Sequence, residues 1–271
     1  MGRRRDFAGT VVVVTGAGGG LGAAYARRFA RAGAQLGLLD RDAAGVQATG
    51  TELRAQGTEA LALGCDVTDA AACRTSIAAI VDRFGGIDVL INNAGITHRS
   101  AFAATDASVF HRVMAVNFFG ALYCTQAALP SLRARRGLII AVSSIAGFAP
   151  LYGRTGYAAS KHAIEGLFAS LRTELRGTGV DVMIVCPGFT ATGIGAAALD
   201  GDGRVTLHPQ STVGRVATPE SVADAVFTAA GRSRRRLVLT AAGKATFVLT
   251  RILPTAYERL MTRSLRHELE R

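Results

Sequence analysis

Cysteine and lysine are scarce in this 271-residue chain, and their scarcity already excludes several classes of protein. Cys65, Cys73, Cys124 and Cys186 are scattered, with no CxxC pair and no Cys/His cluster at metal-ligand spacing. A disulfide-built scaffold is thereby excluded, no metal site is expected, and a reducing, cytoplasmic setting is the expectation. The only lysines are Lys161 and Lys244, so the position of each carries information. Charged residues make up 19% and hydrophobic residues 49%, which is a folded composition rather than a disordered one. No linker, repeat or low-complexity tract interrupts the chain. The apolar run behind Met1-Gly2-Arg3-Arg4-Arg5 is too short for the core of a secretory signal, and Asp6 stands where myristoylation wants Ser or Thr. The apolar stretch 237–253 holds Lys244 and Arg251, which argues against a spanning helix there.

Positive charge, by contrast, is abundant. The formal net charge is +11, of which residues 232–271 carry +7. Such a tail suits an acidic partner, either a lipid surface or another subunit. Nucleic acid is not expected, because no recognition motif accompanies the charge. The segment 244–269 spaces Leu249, Ile252, Leu253, Tyr257, Leu260, Met261 and Leu265 as one helical stripe, with Arg251, Arg259, Arg263 and Arg266 off it. The stripe either packs on the rest of the chain or a sister subunit, which is the preferred reading, or makes peripheral membrane contact.

Short apolar runs at 10–15, 35–40, 59–65, 87–92, 138–143, 180–186 and 237–240 alternate with helical periodicity at 21–33, 43–56, 69–84, 107–134, 155–177 and 219–231. The strands lack polar alternation, as expected when both faces are covered. Asp69, Asp106 and Thr218 read as helix caps, and Pro219 suits a first turn. The pattern predicts a doubly wound parallel α/β sheet with helices on both faces, spanning 1–243, and a basic helical extension over 244–271. The stretch 190–216, with Gly193, Gly195, Gly201, Gly203 and Pro209, interrupts the alternation and reads as a mobile lid or loop.

Thr15-Gly16-Ala17-Gly18-Gly19-Gly20-Leu21-Gly22 joins the first strand to the first helix. Glycine lets the backbone turn sharply and approach a pyrophosphate, and the helix N-terminus offers free N–H groups. Asp40 ends the second strand, where a carboxylate can accept from ribose hydroxyls and repel a 2′-phosphate, which favours NAD. Arg41 follows and is able to bind that phosphate, so NADP stays open. Asp66, with Val67 behind it, can accept from an adenine amino group or cap a helix. Asn92-Asn93-Ala94-Gly95 ends the fourth strand, where amides can tie strands together and shape the cleft.

Tyr157 and Lys161 stand four apart on one helix face. A free tyrosine titrates near about 10, and a neighbouring ammonium favours the phenolate, so the pair can exchange a proton with an alcohol or alkoxide. Ser144 ends the fifth strand, where open sheets bind ligands; a loop cap is a better reading of Ser143 than of Ser144. Asn117 sits inside a long helix, where asparagine is usually avoided. It either opens the helix to a water linked to Lys161 or is a satisfied buried amide.

Taken in order, the TGxxxGxG loop, the Asp66-Val67 pair, the NNAG run, Asn117, Ser144, the YxxxK pair and Pro187-Gly188 resemble the short-chain dehydrogenase/reductase family over roughly 8–241. The resemblance implies a Rossmann-type sheet of order 3-2-1-4-5-6-7 and an Asn117–Ser144–Tyr157–Lys161 tetrad. It further implies that Lys161 binds the nicotinamide ribose and that Thr192, or Thr190, contacts the nicotinamide carboxamide. Thr190 stands where the family commonly has an aliphatic residue. The implied cofactor residues are Gly16, Gly18, Gly19, Gly20, Leu21, Gly22, Asp40, Arg41, Asp66, Val67, Asn93, Ala94, Gly95, Tyr157, Lys161, Pro187, Gly188, Thr190 and Thr192. The implied activity is NAD(P)-dependent interconversion of an alcohol and a ketone. An apolar loop (Phe148, Leu151, Phe189, Ile194, 196–199) points to a lipophilic substrate. A homodimer or homotetramer is expected through 107–134 and 155–177. The alternative is a dinucleotide-binding sensor or scaffold without turnover.

Overall fold

Strand β1 (Val11–Thr15) sends alternate valines to opposite sides, and each side meets a core of its own. Val12 and Val14 pack with Phe29, Leu36 and Leu38; Val11 and Val13 pack with Ile77, Ile80 and Leu90. A strand buried on both faces has no use for polar alternation, which is why the run reads VVVVT. The structure is a computed structural model that describes residues 4–208, 210–212 and 216–269.

The remaining strands are β2 (Gln35–Asp40), β3 (Ala60–Gly64), β4 (Val89–Asn92), β5 (Leu138–Val142), β6 (Asp181–Cys186) and β7 (Arg236–Val238). All pair in parallel in the order β3-β2-β1-β4-β5-β6-β7, as the resemblance implied. Helices α1 (Gly20–Ala30), α2 (Ala43–Ala55) and α7 (Pro219–Gly231) cover one face. On the other lie α3 (Ala70–Phe84), α5 (Gly120–Ala134) and α6 (Thr155–Glu174). The chain order reverses between β1 and β4, which opens a crevice at the carboxyl ends of these strands.

Several local expectations meet corrections. The helix predicted over 107–134 is α4 (Ala107–Met114), a π-turn at Ala115–Phe119, and then α5. Asp69 and Thr218 do cap, accepting from the amides of Ala71 and Ala72 and of Ser221. Asp106 does not: the Gly201 carbonyl accepts its N–H at 2.8 Å, and its carboxylate stays exposed with no capping bond. Within the stretch 190–216, Thr190 bridges to Ala217 and Leu199 to His98 and Val205, while Pro209 and residues 213–215 lie outside the described residues.

The tail forms a helical hairpin, α8 (Ala241–Ile252) and α9 (Pro254–Leu265). Proline cannot continue a helix but fits a first turn, so Pro254 ends one and begins the next. The apolar stripe divides. Tyr257 and Leu265 are buried against the domain, whereas Val248, Ile252, Leu253 and Leu260 are exposed.

Candidate active site

One cleft of about 680 Å³ runs along the crevice, and every sequence-predicted site residue except Asn117 lines it. The glycine loop forms one end. Gly16 has φ +69°, and a Cβ there would sit 2.9 Å from the Ala94 Cα. A Cβ on Gly22 would fall 1.9 Å from the Gly16 carbonyl oxygen, so no larger residue fits the turn. At Gly19 a Cβ would meet nothing within 4 Å, which leaves the loop open to the cleft. No side chain caps α1 and no acid lies in its first turn, so its leading N–H groups and positive dipole end suit a pyrophosphate.

Asp40 is held, not loose. Its Oδ2 accepts from the Gly18 amide at 2.8 Å and its Oδ1 from the Asp42 amide at 2.9 Å, which plants a carboxylate beside the loop. Arg41 is exposed on the rim of the same cleft. Asp66 does not cap α3, because Asp69 takes that role; its Oδ1 accepts from the amide and hydroxyl of Thr68 at 2.9 and 2.8 Å. Asn93 Nδ2 donates to the Thr15 carbonyl at 3.0 Å, and the Thr15 hydroxyl accepts from the amides of Asn93 and Ala94. Thus the NNAG run ties β4 to β1 beneath the cleft. Val67, Gly95, Pro187, Gly188, Thr190 and Thr192 also line it, and Thr192 stands over Gly20.

Tyr157 lines the cleft from the first turn of α6, with Ser144 and Lys161 beside it. Burial raises the titration of its phenol, opposed by a hydrogen bond with Ser144 and by the charge of Arg154. Lys161 lies one turn further along α6. Its Nζ donates to the Val142 carbonyl at 2.9 Å and lies 5.7 Å from the Tyr157 ring centre, and burial lowers its own titration to about 8. Ser144, rather than Ser143, proves to be the loop cap, accepting from the Ala146 amide at 3.1 Å; the Ser143 hydroxyl faces the Lys161 carbonyl instead. One serine therefore caps the turn behind β5 and reaches the phenol.

Asn117 occupies the middle of the π-turn. Its Oδ1 accepts from the Ile96 amide at 2.8 Å, and its Nδ2 donates to the Ile96 carbonyl and the Ser160 hydroxyl at 3.0 and 2.8 Å. The side chain is a satisfied buried amide, and the helix around it is opened as well. A side chain on Gly95 would project into the space between Asn117 and Lys161, its Cβ 3.2 and 3.6 Å from their polar atoms.

Three residues outside every motif complete the site. His98 Nε2 accepts from the Gly156 amide at 2.8 Å, and burial together with Arg154 lowers its titration to about 4. Arg99 and Arg154, 3% and 4% exposed, line the cleft. Buried arginines are rare enough to be informative, but burial cannot be read from single arginines in an arginine-rich sequence. The anticipated apolar lining is present in Leu151, Phe189, Ile194 and Ala197. Phe148 instead packs edge-on against Phe247, and Ala198 and Leu199 are buried.

A phosphate cradle at the switch point of a parallel sheet, opening onto a serine, a tyrosine and a lysine, defines a class: the dinucleotide-dependent oxidoreductases. Residues 10–202 match the family model described as short chain dehydrogenase, and the chain belongs to that family. It is 37% identical to dehydrogenase/reductase SDR family member 7B of Bos taurus, over 95% of this chain and 82% of the relative. It is 35% identical to 2-(S)-hydroxypropyl-CoM dehydrogenase 3 of Xanthobacter autotrophicus, over 80% of this chain and 88% of the relative. Among solved structures, a short chain dehydrogenase/reductase from Burkholderia phymatum in complex with NAD superposes with TM-score 0.82 at 28% identity, covering 91% of this chain and 94% of the other. An alcohol dehydrogenase from Thermococcus sibiricus complexed with 5-hydroxy-NADP gives 0.74 at 26% identity, covering 85% and 95%. The chain is thus an oxidoreductase that binds a nicotinamide dinucleotide.

Proposed function

We propose that the chain interconverts a secondary alcohol and a ketone, with NAD as its preferred dinucleotide. The reading is carried by the convergence of Ser144, Tyr157 and Lys161 on the cleft that the glycine loop opens. Gly16, Gly18, Gly19, Gly20, Leu21 and Gly22 hold the pyrophosphate, Asp40 the adenosine ribose, and Lys161 the nicotinamide ribose. When bound, the dinucleotide accepts or supplies the hydride. The chain's own part is the proton. In reduction the Tyr157 hydroxyl gives its proton to the carbonyl oxygen as the hydride arrives; in oxidation the phenolate takes it back. The Ser144 hydroxyl holds the same oxygen, and the π-turn at Asn117 opens the helix to the water that resupplies the proton beside Lys161. Burial raises the titration of Tyr157 and so favours the proton-donating, reductive direction over the oxidative one.

Preference for NAD rests on the Asp40 carboxylate fixed beside the loop, where a 2′-phosphate meets like charge. Leu151, Phe189, Ile194, Tyr257 and Met261 at the substrate end favour a lipophilic alcohol or ketone. Its further partners in this reading are copies of itself, joined through α4, α5 and α6. A panel of cyclic, steroid-like and fatty ketones, followed by NADH fluorescence, tests the activity. Consumption with a lipophilic member is expected; dinucleotide binding with no consumption across the panel would favour the sensor or scaffold.

A further inference from the structure

Besides Tyr257 and Met261 in the cleft wall, the tail places one carboxylate behind two arginines of that wall. Glu268, in the turn behind α9, is 1% exposed. Its Oε2 accepts from Arg154 Nη2 at 2.7 Å and lies 3.9 Å from Arg99 Nε, while its Oε1 accepts the Ser211 amide. The Arg99 contact is an ion pair without a hydrogen bond, its Nε having no hydrogen-bond partner, and the remaining bonds of both guanidiniums go to the main chain. Arg154 Nη1 donates to the Tyr152 carbonyl at 3.1 Å, and Arg99 donates to the carbonyls of Gly195, at 3.0 Å, and His208. Beside them His267 Nε2 meets the Ser211 hydroxyl at 2.8 Å, and Leu269 packs on Gly153.

One acid therefore joins three segments: the head of α6, the stretch after NNAG, and the loop 190–212. Two buried guanidiniums share a single carboxylate, so undocking the tail would leave two like charges unpaired in the interior. Removing one partner of such a group costs far more than the intact group contributes. The tail and the loop should consequently open and close together. Arg99 and Arg154 line the cleft, and none of the partners of Glu268 belongs to the glycine loop or bonds to Asp40.

We propose that Glu268 is a positioning residue of the substrate site: it holds Arg154 three residues ahead of Tyr157 and, through Arg99 and Ser211, clamps the loop at Gly195, His208 and Ser211, so that the substrate end of the cleft exists only with the tail docked. The kinetic part rests on the alcohol/ketone reading above; the structural part does not.

The test uses the full chain carrying Glu268→Gln, which keeps the shape and removes the charge. NADH affinity should stay within about twofold of the parent, which certifies a folded sheet, while amides of 195–208 exchange hydrogen at least ~tenfold faster. KM for a ketone substrate should rise at least ~tenfold with kcat changed less, a split that general destabilisation would not produce. Unchanged exchange over 195–208 in a variant that still binds NADH would overturn the proposal whatever the kinetics. Should Glu268→Gln fail to fold, the parent chain decides. Amides of 195–208 and 254–268 are expected to share one protection level and to lose it together in denaturant. Loop amides that open ahead of the tail would overturn the coupling. If instead Tyr157→Phe kept full turnover, the chemical reading would fall and the exchange result would stand.

Discussion

His98 Nε2 accepts the Gly156 N–H at 2.8 Å, so a residue outside every motif caps the helix that carries Tyr157 and Lys161. An acceptor at Nε2 puts the ring proton on Nδ1, which donates to the Ser100 hydroxyl 3.1 Å away. Protonating Nε2 would set two donors against each other. The low titration of His98, about 4, has the same origin: a fully buried ring beside Arg154. Because the folded value lies below the unfolded value of about 6.5, stability is complete above that pH and is lost as pH falls toward 4, by roughly 3 kcal/mol. Urea unfolding between pH 7 and 4 should show that loss, and His98→Gln, which keeps an acceptor without a titration, should show a shallower one. Equal slopes would remove His98 from the account.

The proposed preference for NAD rests on the Asp40 carboxylate at the Gly18 amide. Asp40→Ser should shift the ratio of affinities toward the 2′-phosphorylated form by at least about tenfold, worth ~1.4 kcal/mol. Fluorescence titration with NADH and NADPH measures it. A parent chain that already prefers NADPH would contradict the assignment.

Gly22 has no room for a methyl group, since a Cβ would fall 1.9 Å from the Gly16 carbonyl oxygen. Gly22→Ala should weaken dinucleotide binding by at least ~100-fold and cost about 1–3 kcal/mol in stability through overpacking. Gly19→Ala, facing open space, should leave stability within about 0.5 kcal/mol, as is usual for surface substitutions.

Asn117→Ala strands both the N–H and the carbonyl of Ile96 and removes the bond to Ser160. The buried groups left unpaired should cost about 1–3 kcal/mol in thermal unfolding. Turnover should fall at least ~tenfold while NADH affinity changes little, if the amide supports the proton path. Parallel loss of binding and turnover would reduce Asn117 to a purely structural role.

Much of this was written in local pattern. The strands were legible because a strand buried on both faces must be apolar throughout, as VVVVT and LIIAV are. The glycine loop and the Tyr157–Lys161 spacing were legible because backbone sterics and helix period act over a few residues. What escaped depends on distant partners. Asp106 has the chemistry of a cap, but the Gly201 carbonyl, far along the chain, fixes its backbone. The Lys161 spacing to Tyr157 is local, but its bond to the Val142 carbonyl, 19 residues back, is not. Glu268 and Arg154 are 114 residues apart, and no sequence period links them.

The central claim is that the Tyr157 hydroxyl moves the proton, and the direct test is Tyr157→Phe, which deletes one oxygen and keeps the ring. NADH affinity should remain within about twofold and turnover of the best ketone should fall by ~10²–10⁴, the range usual for a lost general acid. Turnover equal to that of the parent chain, with the same affinity, would contradict the account.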